Sequence, residues 1–147
     1  MITQKFDTFL SYQFTGIDPQ VRAANISKIV AQLEAEGRTI FCSDALEPEF
    51  QKRGMTPDDI YAECFRIQSE QNFEEVVFFF MDPRESKGMR KELDRAKELG
   101  QRARVMFGEG MEHIGELEWA QPFMEYAKKF EVGADEDGPE KKKTESE

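Results

Sequence analysis

The chain has 147 residues, which is enough for one domain with a hydrophobic core of its own. Its 20 basic and 30 acidic residues give a net charge of −10, which opposes binding to nucleic acid and to anionic membranes. Two cysteines and one histidine favour neither a disulfide framework nor a metal site, and no cofactor is predicted. Because no signal core or long apolar stretch occurs, we expect a cytoplasmic protein.

The N-terminal part of the chain predicts a strand, a helix and a second strand. Residues Phe6 to Tyr12 (FDTFLSY) are rich in aromatic and β-favouring side chains and end in a polar turn. Asp18 followed by Pro19 is typical of a helix start, and apolar residues at helical spacing continue to Gly37. Arg38 to Cys42 predicts the second strand, and the length of the crossover suits parallel pairing.

The middle of the chain predicts a loop, a second helix and the central strand. Residues Ser43 to Met55 show no clear period and contain proline and glycine, which indicates a loop. Thr56 and Pro57 repeat the helix-start signal. The apolar face of that helix comprises Ile60, Cys64 and Ile67. Glu75 to Met81 (EVVFFFM) is the most apolar run and predicts a strand buried on both faces.

The remaining chain predicts a third helix closed by Gly100, a strand from Arg104 to Phe107, and a last helix interrupted by Pro122. Alternating strands and helices predict a single α/β domain over residues 1–132. We expect a Rossmann/flavodoxin-like open parallel sheet of four to five strands with helices on both faces. Residues 133–147 contain mostly charges, glycine and proline, which predicts a disordered tail.

The segment that follows the most apolar strand carries the residues with the clearest chemistry. Ser86 and Gly88 stand at the predicted start of the third helix, where free backbone N–H groups and the positive end of the helix dipole favour a phosphate. Glu92 follows Gly88 by four residues, about 40° round the helix, so it points toward the same edge. This spacing predicts a ligand site with a carboxylate.

This pattern resembles a known family of enzymes. Ser86-x-Gly88-x-x-x-Glu92 after an apolar strand is similar to the signature of nucleoside 2-deoxyribosyltransferases and the related 2′-deoxynucleoside 5′-phosphate N-hydrolases. The first predicted loop agrees with the turn and following arginine of these enzymes. Its matching residues are Tyr12, Phe14, Gly16 and Arg22.

The resemblance implies that Glu92 attacks the anomeric carbon of a 2′-deoxynucleoside or its 5′-monophosphate. A second carboxyl would protonate the leaving base, and Glu63 or Asp59 would supply it if Glu70 to Phe73 is an insertion. The remaining residues implied to bind this small-molecule substrate are Tyr12, Phe14, Gly16, Arg22, Ser86 and Gly88. Members of the family commonly complete their sites across a dimer interface, which implies a homodimer.

Two other functions and two structural alternatives remain open. The segments KFDTFLSYQ and GRTIFCSD look like the opening strands of Toll/interleukin-receptor domains, which assemble with partners or cleave NAD. A nucleotide-binding module without activity is the second alternative, because the second acid is not evident. Glu92 could also pair with Lys87 or Arg95 on a solvated helix face, and Ser86 could act only as an N-cap.

Overall fold

The computed structural model describes residues 6–13, 16–42, 52–71 and 73–131, and strands and helices alternate through this part of the chain. The four strands are β1 (Thr8–Tyr12), β2 (Ile40–Phe41), β3 (Glu75–Phe80) and β4 (Arg102–Phe107). The α-helices whose bounds lie in the described ranges are α1 (Pro19–Ala35), α2 (Pro57–Glu70), α3 (Lys87–Leu99) and α4 (Gln121–Lys128). Two 3₁₀ turns, Glu112–Glu116 and Glu118–Ala120, connect β4 to α4.

The strands form one parallel sheet in the order β2-β1-β3-β4. In its register Leu10 lies beside Val77, which lies beside Arg104. This architecture confirms the predicted Rossmann/flavodoxin-like fold. The connections after β1 and β2 run in opposite directions along the sheet, so the order reverses between β1 and β3. In open α/β sheets ligands bind at the carboxyl ends of the strands beside such a reversal.

Helices cover both faces of the sheet, as predicted. One face packs against α1, where Ile26, Ile29 and Leu33 meet Leu10 and Val77 of the central strands. The other face is buried beneath α2, α3 and α4. Its most deeply buried members include Phe9, Ile67, Phe78, Leu93 and Phe123. Side chains of a strand alternate between the two faces, so Ser11 lies on the same side as Phe9 and faces α3.

The predicted starts of α1, α2 and α3 are confirmed, as is the predicted end of α3 at Gly100. The Asp18 carboxylate accepts hydrogen bonds from the first backbone N–H groups of α1, and Ser86 caps α3 by accepting from the N–H of Met89 at 3.2 Å. Thr56 and Asp59 form a reciprocal capping box at the start of α2. Gly100 ends α3 with φ of 70°, a left-handed conformation that glycine adopts without strain.

Several predicted boundaries differ in the structure. β1 begins at Thr8 and not at Phe6, and β3 ends at Phe80 and not at Met81. Regular pairing of β2 is limited to two residues because Thr39 bonds to Asp7 through both main chain and side chain. β4 begins two residues early, at Arg102, whose N–H donates to Glu74. Pro122 lies in the first turn of α4 and does not interrupt a helix, because a missing N–H costs nothing there.

A cluster of charged side chains lies at the amino ends of the strands. Glu75, a buried residue of β3, forms an ion pair with Arg38 at 3.2 Å and accepts a hydrogen bond from Arg104 at 3.4 Å. Arg104 also pairs with Glu36 at 2.9 Å. This cluster links α1 and the segment before β2 to the two neighbouring strands β3 and β4.

The predicted tail, residues 133–147, and most of the predicted loop from Ser43 to Met55 lie outside the described residues. Within the described ranges, no helix is both long and apolar enough to cross a membrane.

Candidate active site

A pocket of about 490 Å³ opens at the carboxyl ends of β1 and β3, where the strand order reverses. Its walls come from the end of β1, the first two turns of α2, the loop after β3 and the start of α3. The volume is within the range of about 300 to 1,000 Å³ that is usual for small-molecule sites. The residues predicted from the sequence that line it are Tyr12, Ser86, Gly88 and Glu92.

Glu92 is the buried carboxyl group of this pocket, with only 6% of its surface exposed. It lies on α3 between Met89, Leu93 and Ala96, which anchor that helix in the core. The carboxylate accepts a short hydrogen bond from the Ser11 hydroxyl. Burial raises the pKa of Glu92 to about 8, although the bond from Ser11 acts in the opposite direction. The alternative of a solvated, ion-paired Glu92 is therefore wrong.

Ser11 is a functional candidate that sequence reasoning missed. It is a small hydroxyl residue within an apolar strand, and it is almost fully buried. A buried hydroxyl needs a partner because leaving it without one costs free energy. Ser11 is two residues after Phe9 in the same strand, so both side chains lie on the same face of the sheet. This alternation was the one signal in the sequence for the partner on α3.

Gly88 is explained by Tyr61 and not by close approach of a ligand. A Cβ atom at position 88 would lie 3.0 Å from Cε1 of Tyr61, and the Tyr61 hydroxyl donates to the Gly88 carbonyl at 3.0 Å. Tyr61 extends from α2 and forms one wall of the pocket. Its partial burial and the neighbouring Glu92 charge raise the pKa of its phenol, so the hydroxyl remains a donor.

The start of α3 contributes its backbone and two lysines to the pocket. Ser86 is the N-cap of α3 through its hydroxyl, which is the alternative role considered from the sequence. It also lines the cavity. Lys87 and Lys91 extend from the same helix into the lining, and Arg84 precedes them. These three side chains are the cations among the residues that line the pocket.

Two described residues of the predicted binding set, Gly16 and Arg22, are not in the lining. Arg22 is buried on α1, on the helix face that also carries Ile26 and Ile29, and it is not among the residues that line the pocket. Gly16 has φ of 82° and lies beside the pocket, where its carbonyl accepts from Arg84 at 3.0 Å. Phe14 lies outside the described residues.

The predicted second acids point elsewhere. Asp59 is exposed and is held in the capping box, and Glu63 is paired with Arg66 one helical turn along α2. Both arrangements lower the pKa of the carboxyl concerned. Neither residue lines the pocket, whereas the neighbouring Asp58 does. The helix presents Ile60, Tyr61 and Cys64 inward, which leaves residues 59 and 63 on another face.

Gln13 is a second residue that sequence reasoning missed. Its side chain, 3% exposed, extends from the end of β1 to the loop after β3. Its amide oxygen accepts from the N–H groups of Met81 and Asp82 at 2.6 and 2.9 Å. Its amide nitrogen donates to the carbonyls of Asp82 and Arg84.

Within the described ranges, no three His, Cys, Asp or Glu side chains are grouped closely enough to hold a metal ion. Comparison of the chain with models of protein families, with curated proteins and with solved structures finds no match. The function has to follow from the chemistry of the pocket itself.

Proposed function

We propose that the protein cleaves the N-glycosidic bond of a 2′-deoxynucleoside or its 5′-monophosphate, with Glu92 as the nucleophile. The observation that carries this proposal is the position of Glu92. It is a buried carboxyl group in a ligand-sized pocket, at the sheet edge where open α/β folds bind small molecules. Buried titratable groups with shifted pKa values in such clefts are characteristic of active sites.

In the proposed reaction the ionised Glu92 carboxylate bonds to the anomeric carbon as the bond to the base breaks. The electron pair of that bond leaves with the base, which takes up a proton. Water or a second base then attacks the glycosyl-enzyme and releases the carboxylate. Attack by water gives hydrolysis, and attack by a second base transfers the deoxyribosyl group to that base. With the pKa of Glu92 at about 8, about a tenth of the free protein carries the reactive carboxylate at pH 7.

The start of α3 supports recognition of a 5′-phosphate. The first two backbone N–H groups of α3, those of Lys87 and Gly88, have no partner within the helix, and Lys87 and Lys91 add two positive charges at the pocket wall. Charge-assisted hydrogen bonds of this kind are about twice as strong as neutral ones. We therefore expect monophosphates to be better substrates than nucleosides.

Asp58 replaces Asp59 and Glu63 as the proposed donor of the proton to the leaving base. It is the carboxyl group that α2 contributes to the pocket. Asp82 also lines the pocket, but Arg84 bonds to both of its oxygens and lowers its pKa, which disfavours a role as an acid.

Cleavage of NAD, as in some Toll/interleukin-receptor-like domains, is a second candidate. The observation that favours it is that Asp59 and Glu63 are directed away from the pocket. Nicotinamide departs from NAD as a neutral base, because its ring nitrogen already carries the positive charge. This leaving group needs no acid, and a single carboxylate at Glu92 suffices.

A direct assay separates these functions. The protein is incubated at pH 7 and pH 9 with deoxynucleosides, deoxynucleoside monophosphates or NAD, and free base is measured by chromatography. We expect base release from monophosphates by the native protein and none by Glu92→Gln. Release of nicotinamide alone would select the second candidate. Binding without base release, equal in both proteins, would identify an inactive nucleotide-binding module and contradict the proposal.

A further inference from the structure

The loop after β3 is held in place by contacts from three separate parts of the chain. Gln13 bonds to it from the end of β1, and Arg84 ties it to the carbonyl of Gly16 in the turn after β1. Trp119, from the second 3₁₀ turn, donates its indole N–H to the carbonyl of Pro83 at 3.0 Å. This loop connects β3 to the start of α3, which lines the pocket.

Gln13 makes the most extensive of these contacts. A glutamine amide has two donor hydrogens and an oxygen with two acceptor sites, and Gln13 engages both sides of its amide with four backbone groups. Met81 and Asp82 follow the last residue of β3, so the Gln13 oxygen satisfies N–H groups that regular strand pairing does not reach. Unpartnered backbone groups at such a buried point would destabilise this loop geometry.

We infer that Gln13 is a positioning residue, which sets the place of the loop and with it the ligand-binding start of α3. Glu92 is held separately, by Ser11 and by the buried face of α3 around Leu93. Loss of the Gln13 contacts should therefore weaken ligand binding and leave the ionisation of Glu92 unchanged. The ligand part of this inference rests on the proposed function, whereas the loop part does not.

The chain contains a built-in reporter of the loop. Trp119 is the only tryptophan in the sequence, and its indole bonds directly to Pro83. Its fluorescence therefore reports on the position of the loop without any substrate. A matched control is Gln101, which is equally buried at 3% and bonds to Gln68 and not to the loop.

The experiment compares Gln13→Met with Gln101→Met. Both changes remove an amide of the same size from a buried site, so both should lower the melting temperature. We expect only Gln13→Met to shift the Trp119 emission maximum. We also expect only this variant to weaken binding of 2-deoxyribose 5-phosphate, by about tenfold or more in calorimetry. Equal emission and equal affinity in the two variants would overturn the inference.

Hydrogen exchange on the unmodified protein provides a test that does not depend on a variant's ability to fold. The N–H groups of Met81 and Asp82 should exchange as slowly as those of β3, because Gln13 holds them. Exchange at the rate of exposed loop amides would contradict the positioning role. If the native protein does not bind 2-deoxyribose 5-phosphate, the phosphate form of the proposed function fails, while fluorescence and exchange still decide the role of Gln13.

Discussion

The environment of the Glu92 carboxyl determines when this side chain can act as a nucleophile. Burial favours its neutral form, and the pKa of about 8 lies above neutral pH. For a nucleophile, kcat/KM should rise about tenfold between pH 7 and pH 9, as the ionised fraction grows. Initial rates of base release across this range provide the measurement. A rate that falls with increasing pH in the native protein and also in Asp58→Asn would instead assign Glu92 the role of a general acid.

Ser11 is expected to tune this ionisation. Its hydroxyl donates to the Glu92 carboxylate and stabilises the charged form, so Ser11→Ala should raise the pKa of Glu92 further. At pH 7 the rate should fall on the order of tenfold, and the midpoint of the pH profile should move to higher pH. Ser69→Ala is the control, because the Ser69 hydroxyl bonds to a carbonyl within α2. An unchanged midpoint in Ser11→Ala would show that the bond does not influence Glu92.

At the level of elements, α2 offers a comparison of two adjacent carboxyl groups. Asp58 lines the pocket, whereas Asp59 belongs to the capping box. Asp58→Asn should reduce base release by about a hundredfold or more, the usual effect of losing a general acid. Asp59→Asn should leave the rate intact and destabilise the protein by on the order of 0.5 to 1 kcal/mol.

Parallel assays of base release and thermal unfolding check both expectations for α2. If Asp58→Asn retains full activity on monophosphates, the leaving group departs without help from α2. Nicotinamide release that survives Asp58→Asn, in a protein that is inactive on monophosphates, would favour the NAD-cleaving candidate.

The elements show where sequence reasoning succeeds and where it stops. Ser86 as a helix cap, Glu92 near the helix start and the buried central strand follow from local patterns, because caps and periodicity are local properties. Contacts between distant segments are not local properties of the sequence. Ser11 meets Glu92 across 81 positions of sequence, and Gln13 meets Asp82 across 69. Local patterns hold no information on such pairings.

The same limit explains the two acids predicted on α2. The inward face of this helix depends on its packing against α3, where Tyr61 bonds to Gly88. The apolar residues Ile60 and Cys64 indicate that face only approximately. The sequence therefore predicts Asp59 and Glu63, whereas the α2 carboxyl group that lines the pocket is that of Asp58.

For the whole molecule, Glu92 links stability to pH. Its pKa is higher in the folded protein than the ordinary value of 4.5, so folding favours the protonated form. This group lowers the free energy of unfolding progressively as pH rises from about 4.5 to 8, by on the order of 5 kcal/mol at most. Below that interval both states are protonated, and above it the loss is constant.

Replacement by Gln, which remains neutral, should remove this dependence. We expect Glu92→Gln to unfold at a higher denaturant concentration than the native protein at pH 8.5, and at a similar concentration at pH 4.5. Urea titrations at the two pH values measure the difference. A variant less stable than the native protein at pH 8.5 would show that the folded protein stabilises the Glu92 carboxylate, so that folding does not raise its pKa.

The charged cluster around Glu75 stands at the amino ends of the strands, and the pocket stands at their carboxyl ends. β3 has six residues, which separates the two ends by roughly 20 Å. The exposed residue Glu34, near the end of α1, lies on the side of this cluster. Both native cysteines are buried, so a thiol introduced by Glu34→Cys would be the accessible one. Coupling through it would attach the protein to a solid support with the mouth of the pocket facing the solution.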